Sequence, residues 1–451
     1  MKRNATLAVL LIIALLFGTI GLNVDKTEED IFKLNAIVVS INEDNITLID
    51  KDDAIYTLAN SCDFVNLGDN IIIEYTGVLD KNSDIQNVEI VNYSVSEMVA
   101  TNSIPDIYQD NGIFSDYYKM AYNKLKELSL EEKIGQLILA RYPEEALLEN
   151  LEKYKLGGYI FFEKDFKNKT KSEVQEMINE VQKKSNIPLL IAVDEEGGKI
   201  VRVSSNPNLT SERFKSSKDL YLQGGMDAIK VDAINKSNIL NDLGINLNLA
   251  PVVDVSTNPN DYMYDRSLGE STEITSLYAK TVINASKGLG VSYTLKHFPG
   301  YGNNADTHTS SAIDNRSYES ILATDIPPFE SGINAGAEAV LVSHNIVNSI
   351  DAKNPASLSP KIHNLLRNEL NFTGVIITDD LYMGATKEIK NATVLALLAG
   401  NNIIITTEYV DSINSIKEAI NNKIISEDLI DKLSFKVLAW KYYKGLMLDE
   451  K

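Results

Sequence analysis

From Ala121 onward the chain repeats one unit: a short apolar run followed by a stretch with helical spacing, eight times over. The runs are Gln136–Ala140, Gly157–Phe162, Pro188–Val193, Gly244–Leu249, Gly290–Leu295, Glu338–Ser343, Gly374–Thr378 and Asn402–Thr406. Intervening segments such as Ala228–Leu243, Ile274–Leu289 and Ser317–Ala335 carry the 3.6-residue period of helices. Strands that are apolar along their whole length are buried on both faces, which is the mark of a parallel sheet covered by helices. Eight such units over about 320 residues fit a (β/α)8 barrel. Ser129-Leu-Glu-Glu132, a capping-box pattern, opens the first helix leading into it.

Polar residues fall in register with this assignment. Directly or closely after the eight runs come Arg141, Glu163, Asp194, Asp254, Lys296-His297, His344, Asp379 and Glu408. In a barrel these positions share the rim where strands end, the face on which chemistry is done. One charge after a strand is ordinarily a cap or loop residue; eight in register are not a chance scatter.

The remainder of the chain is read as follows. Lys2 and Arg3 precede an uncharged run from Ala5 to Leu22, so residues 1–26 are expected to be a signal peptide or membrane anchor. Short β-branched runs follow: Leu34–Ile41, Asn45–Ile49, Ile55–Leu58, Asn70–Tyr75 and Gln86–Val91, with turn signals between them. They suggest a small β-barrel, OB-like, over residues 30–93. It lacks an aromatic-plus-basic face, and its expected role is a spacer or cell-wall contact. Residues 94–120 read as a linker, and residues 121–451 as the barrel domain. The expected fold class is thus α/β, a TIM-like barrel behind a small all-β domain and an N-terminal hydrophobic segment.

Composition removes other functions. A formal charge of −20 leaves no surplus of cations to replace counterions on phosphates, so nucleic acid is not expected as a partner. One cysteine, Cys62, excludes an internal disulfide, and four scattered histidines argue against a zinc centre. No metal or other cofactor is expected.

The chemistry concentrates in Lys296–His308, KHFPGYGNNADTH, which holds two of the four histidines. Lys296 and His297 leave the fifth run side by side, and both reach one ligand only if the chain bends, as Pro299-Gly300 permits. Asp306 stands two residues from His308; a carboxylate there fixes the tautomer of the imidazole and stabilises its protonated form, leaving the other nitrogen to move a proton. Asp379 ends the seventh run, and a carboxylate at the mouth of a buried strand is costly unless paired or reactive. Asp380 should face away and serve structure. In Asp194-Glu-Glu-Gly-Gly-Lys-Ile-Val-Arg202, Asp194 suits hydroxyl donors and Arg202 an anionic or amide group, while the glycines allow a tight turn or close approach of backbone to a ligand. Glu195 and Glu196 are read as acids at a helix N-terminus. Arg266, in Tyr264-Asp-Arg-Ser267, either orients a substrate or pairs with Asp265 at the surface.

KHFPGYG…DTH after one strand and ITDDLYMGA after another resemble the family 3 glycoside hydrolases, specifically their β-N-acetylglucosaminidase branch. DEEGGKIVR, NLAPVVDV, YDRSLG and LGGYIFF match in the same order, over about Leu128 to Leu446. The resemblance implies Asp379 as nucleophile, His308 as general acid/base and Asp306 as its partner. It also implies that Asp194, Arg202, Arg266, Lys296 and His297 bind the sugar. Tyr301, Thr307 and Lys199 depart from the histidine, serine and arginine usual at those positions. The glutamate-bearing second domain of the family's glucosidases is expected to have no counterpart, which would leave the acid to the His308 loop. The expected activity is a retaining exo-β-N-acetylglucosaminidase acting outside the cytoplasm on N-acetylglucosamine-containing glycans such as peptidoglycan fragments. The alternatives are a β-glucosidase or xylosidase, a phosphorylase of the same family, and a non-catalytic wall-binding protein.

Overall fold

A computed structural model describes residues 31–59, 65–76, 89–96, 104–143, 147–302 and 312–447. The hydrophobic segment at residues 5–22, Cys62, Asp306 and His308 lie outside the described residues.

Five antiparallel strands come first: β1 (Phe32–Ile41), β2 (Asn45–Asp50), β3 (Ile55–Ala59), β4 (Asn70–Thr76) and β5 (Glu89–Ser96). Their order is β3-β2-β1-β4-β5. Among the described residues β3 and β5 stand at the two ends of this order. β1 shows why the alternation was legible. Leu34, Ala36 and Val38 face the sheet's own core with Ile46, Leu48, Ile71 and Ile73. Ile37 and Val39, one residue out of phase, point the other way into the main core of the molecule.

Eight parallel strands form the second sheet: β6 (Ile138–Arg141), β7 (Gly158–Phe161), β8 (Leu190–Val193), β9 (Leu247–Asn248), β10 (Ser292–Phe298), β12 (Ala339–Val342), β14 (Val375–Thr378) and β15 (Ile404–Thr406). Each lies within or overlaps one of the eight apolar runs. Their order, β14-β12-β10-β9-β8-β7-β6-β15, winds in chain sequence, and a parallel bridge between Ile377 and Ile403 nearly closes the ring. A short two-stranded ladder, β11 (Ile313–Asp314) with β13 (Ile346–Val347), sits outside it.

Helices at Lys171–Lys184, Ser217–Asp242 and Thr272–Ser286 intervene between strands, the middle one broken at Gly224 and Gly225. The helix Glu427–Tyr443 is buried on nearly every side, because the barrel lies against one face and the N-terminal sheet against another. Its lysines serve as internal crosslinks. Lys441 donates to the carbonyl of Gly157 at 2.9 Å and to Gln136 at 2.6 Å, both just ahead of strands, and so plugs the N-terminal end of the barrel.

The N-terminal sheet docks at that same end through buried charge. Asp53 lies 2.7 Å from Lys432, 3.4 Å from Lys436 and 3.8 Å from Arg367. Arg367 in turn donates to the carbonyls of Phe372 and Gly374, which lead into β14. Asn364 pairs with the backbone of Ile55 in both directions, at 3.0 and 2.6 Å, and so covers the edge strand β3. The expected linker differs from its reading: Tyr108, Phe114 and Tyr118 are buried, and Tyr108 and Tyr118 pack on Phe435 of the long helix. A polar composition concealed three aromatic anchors.

Candidate active site

The strand ends meet at one cavity of about 470 Å³ at the C-terminal face of the barrel. Asp194, Arg202, Arg266, Lys296, His297 and Asp379 all line it, together with Glu196 and Asp380. Six of the eight residues singled out from sequence therefore converge, although they are spread over nearly two hundred positions. The other two, Asp306 and His308, fall outside the described residues; Gly302 and Ala312, which bracket that stretch, are fixed. The glycine at 302 has φ +61°, and a side chain there would meet the guanidinium of Arg316. Arg316 is bound to Asp314 at 2.7 Å and to Asp325 at 2.6 Å.

Lys296 is the hub. Its ammonium lies 2.7 Å from Asp194 and 2.7 Å from Glu196, and its side chain is 3% exposed. Arg266 grips Glu196 with two bonds, Nε to Oε2 at 3.1 Å and Nη2 to Oε1 at 2.7 Å. Such forked pairing sets the plane of the guanidinium as well as its position. Burial opposes the charge on Glu196, but Arg266 and Lys296 together outweigh it and hold the carboxyl well below the usual range. Lys296 mirrors this: burial disfavours its charge, and Asp194 and Glu196 overcome that and raise its pKa. Arg202 is the looser member, 3.5 Å from Asp194.

His297 is oriented by an acid that the motifs had placed only as a strand-end residue. Asp254, 2% exposed, accepts from the ring Nδ1 of His297 at 2.7 Å, from its backbone N–H at 3.2 Å and from the N–H of Tyr301 at 2.7 Å. On the far side of the ring, Nε2 lies 3.3 Å from Nη2 of Arg266. A guanidinium only donates, so Nε2 must accept, and the ring proton resides on Nδ1 facing Asp254. The bend that lets neighbours Lys296 and His297 share the cavity is visible as a register shift in the β10–β12 ladder between Lys296 and Phe298. An irregularity of this kind re-aims a side chain. The peptide joining the two is cis.

Asp379 extends β14 by one residue. Its N–H donates to Val342 at 3.1 Å, and its Oδ1 accepts from the N–H of Asp380 at 2.9 Å. Asp380 ties this segment to the loop after β15: its carboxylate accepts from the Thr407 hydroxyl at 2.9 Å and from the N–H of Tyr382 at 3.0 Å. Burial pushes the Asp380 carboxyl up, and the neighbouring charge of Asp379 adds to that. His344 is fully buried and holds the Asp380 carbonyl at 3.0 Å through Nε2, with Nδ1 on Ser357 at 2.7 Å. It thus supports the Asp379 segment from beneath.

Two expectations are corrected. Glu195 and Glu196 do not decorate a helix N-terminus, since the next helix begins only at Ser217. Glu195 is fully buried and accepts from the N–H groups of Arg202 and Val203, both at 2.7 Å, which shapes the loop that presents Arg202. Glu196 is the shared counterion of Lys296 and Arg266. The signal for it was present but indirect: two cations aimed at one buried site require an acid between them. Nor does Arg266 pair with Asp265, whose partner is Lys199. In the loop after β8, a side chain at Gly197 would stand 2.1 Å from the Lys215 carbonyl, so that glycine is required by close backbone packing.

The description "Glycosyl hydrolase family 3 N terminal domain" matches residues 129–439. A protein named beta-hexosaminidase from Xanthomonas oryzae pv. oryzae is 31% identical over 235 residues, covering 51% of this chain and 69% of that protein. The solved family 3 beta-N-acetylglucosaminidase of a Paenibacillus species superposes with a TM-score of 0.66 at 28% identity, over 72% of this chain and 64% of that one. The chain thus spans less than two-thirds of that protein's length. A family 3 glycosyl hydrolase of Mycobacterium smegmatis gives a TM-score of 0.63 at 26% identity, over 70% of this chain and 98% of its own. With its barrel, its rim of charges and its family match all spanning the same residues, the chain belongs to glycosyl hydrolase family 3 and is a glycoside hydrolase.

Proposed function

We propose that the chain is a retaining exo-β-N-acetylglucosaminidase with Asp379 as nucleophile and His308, partnered by Asp306, as general acid/base. The observation that carries the reading is the half-buried Asp379 carboxylate sharing one cavity with the Lys296–Asp194–Glu196–Arg266–His297 network. The network supplies fixed donors and acceptors for the hydroxyls and the amide of one sugar, and the carboxylate is held at its edge.

In the first step protonated His308 donates to the glycosidic oxygen as an oxygen of Asp379 attacks the anomeric carbon. The C–O bond to the leaving group breaks, an ester to Asp379 forms, and the leaving group departs as an alcohol. Neutral His308 then takes a proton from water while that water attacks the same carbon. The ester breaks, the carboxylate is restored, and the sugar leaves with its original configuration. An imidazole in place of the usual second carboxylic acid has a proton to give near neutrality. In the same proposal residues 5–22 carry the chain out of the cytoplasm, as a cleaved signal or an anchor, and its substrates are wall-derived glycans. The N-terminal sheet, docked at the end of the barrel away from the cavity, is free to face the wall without blocking the sugar.

The test is the anomer released first from an aryl β-N-acetylglucosaminide, followed by NMR, in wild type and Asp379→Asn. Initial β product from the wild type and none from the variant supports the reading. Initial α product, or wild-type turnover in the variant, overturns it.

A further inference from the structure

The stretch that carries Asp194 and Glu196 is itself held by residues outside the sugar cavity. Asn248 binds Glu195 in both directions, accepting from its N–H at 3.0 Å and donating to its carbonyl at 3.2 Å. One residue on, the carbonyl of Glu196 accepts from the ammonium of Lys236 at 3.1 Å. Lys236 belongs to the helix Ser217–Asp242, is buried, and pairs at 3.1 Å with Asp232, one turn earlier. Its ammonium also stands 5.0 Å from the ring centroid of Phe214. Burial opposes the charge, but Asp232, with Tyr293 and Glu195 behind it, outweighs burial and raises the pKa of Lys236. The bond to the carbonyl is therefore charge-assisted at neutral pH. A void of about 20 Å³ lies among Glu196, Asp232, Lys236, Tyr278 and Tyr293. Atoms beside a void lack contacts on that side. Packing therefore leaves Glu196 some freedom there, and the polar tie to Lys236 removes it.

Resting on the hydrolase reading above, we propose that Lys236 is a positioning residue for glycoside hydrolysis. By fixing the Glu196 carbonyl it sets where the Glu196 carboxylate stands, and with it where Arg266 meets His297. The route is short. A carbonyl that moves turns its peptide plane and carries Cβ along. The carboxylate beyond that Cβ holds Arg266 at 3.1 and 2.7 Å, and Nη2 of the same guanidinium lies 3.3 Å from Nε2 of His297. Lys236 itself does not line the sugar cavity. It acts on the sugar through Glu196, and the helix Ser217–Asp242 becomes part of what aligns the site.

The experiment measures Lys236→Met on the full chain in three ways: urea unfolding, steady-state hydrolysis of an aryl β-N-acetylglucosaminide, and nitrogen-15 NMR of labelled histidines. The Lys296 network holds the sugar before and during reaction, so the expected loss lies in KM, which should rise about tenfold. The Nε2 resonance of His297 should move. That of His363, whose Nδ1 is bound to the Ser359 carbonyl at 2.8 Å, should stay. Partial unfolding would instead lower apparent kcat and leave KM and the resonance where they were. Lys236→Met also strands Asp232, so the double variant Asp232→Asn/Lys236→Met is measured beside it, with no orphaned ion left to unfold the chain. The double variant should keep the raised KM and the moved resonance. If it regains wild-type KM and an unmoved His297, the lysine serves stability alone and the proposal is overturned. A wild type that hydrolyses no N-acetylglucosaminide would overturn the hydrolase reading instead, and the His297 resonance would still decide whether Lys236 sets the site.

Discussion

Glutamine in place of Glu196 removes one charge from the centre of the site and almost no volume. In the wild type that carboxylate, 5% exposed, lies 2.7 Å from Lys296, itself 3% exposed, and within 3.1 Å of Arg266 at both nitrogens. Removing one partner from a buried ion pair costs about 3–5 kcal/mol, because the charge left behind is desolvated and uncompensated. Asp194 still neutralises Lys296 at 2.7 Å, and the amide oxygen still accepts from one cation, so the lower end, about 3 kcal/mol, is expected. Urea unfolding at pH 7 reads this directly. The sign with pH is also fixed. A carboxyl held below its ordinary range stabilises the fold above the unfolded pKa, and that contribution is lost as pH falls through the folded one. The gap between wild type and Glu196→Gln should therefore close only in strong acid, well below pH 4. Activity falls too, because Arg266 is shared between Glu196 and His297 and loses its fixed plane; about a hundredfold in kcat/KM is the scale of such misplacement. Unchanged unfolding and unchanged turnover in Glu196→Gln would refute the claim that this acid organises the cavity.

Other outcomes follow from the same contacts. Nitrogen-15 NMR of histidine-labelled protein should find His297 protonated on Nδ1 at pH 7.5 in the wild type, and Asp254→Asn should disturb that state and lower turnover; a wild-type Nε2–H tautomer would contradict the network. Asp53→Ala should cost about 3 kcal/mol or more in urea, since Lys432, Lys436 and Arg367 lose their shared acid; an unaltered midpoint would mean the N-terminal sheet is not docked by charge. Asp50 is raised to about 6, burial being the main cause. A raised carboxyl favours the fold below its unfolded pKa, and that advantage is lost as pH climbs through about 6. Asp50→Asn should then be more stable than wild type at pH 8, by about 2 kcal/mol, and the advantage should vanish near pH 4; a destabilised variant at pH 8 would show that the ionised form is needed.

The barrel was legible because its signal is local. Each strand is an apolar run bounded by turn residues, and Asp194, Lys296, His297 and Asp379 sit one or two positions beyond theirs, so their place at the rim was found by register alone. Glu196 was misread, and Asp254 was placed at a strand end without its partner, because their partners lie 70 and 43 residues away. A sequence displays an acid after a strand and does not display which cation faces it. The segment from Ile104 to Tyr118 failed for a related reason. Most of its polar residues face water, while buried Asp110 bonds Lys436 and the buried Tyr108, Phe114 and Tyr118 pack on a helix more than 300 positions later, so composition averaged over the segment hid the anchors.

The central claim is a covalent bond between one sugar and Asp379. Incubating the wild-type chain with a 5-fluoro-N-acetylglucosaminyl fluoride and mapping the adduct by peptide mass spectrometry tests it most directly. The account predicts one added sugar on the peptide containing Asp379 and loss of turnover in proportion. An adduct on another residue, or continued turnover with no adduct at any time, would contradict it.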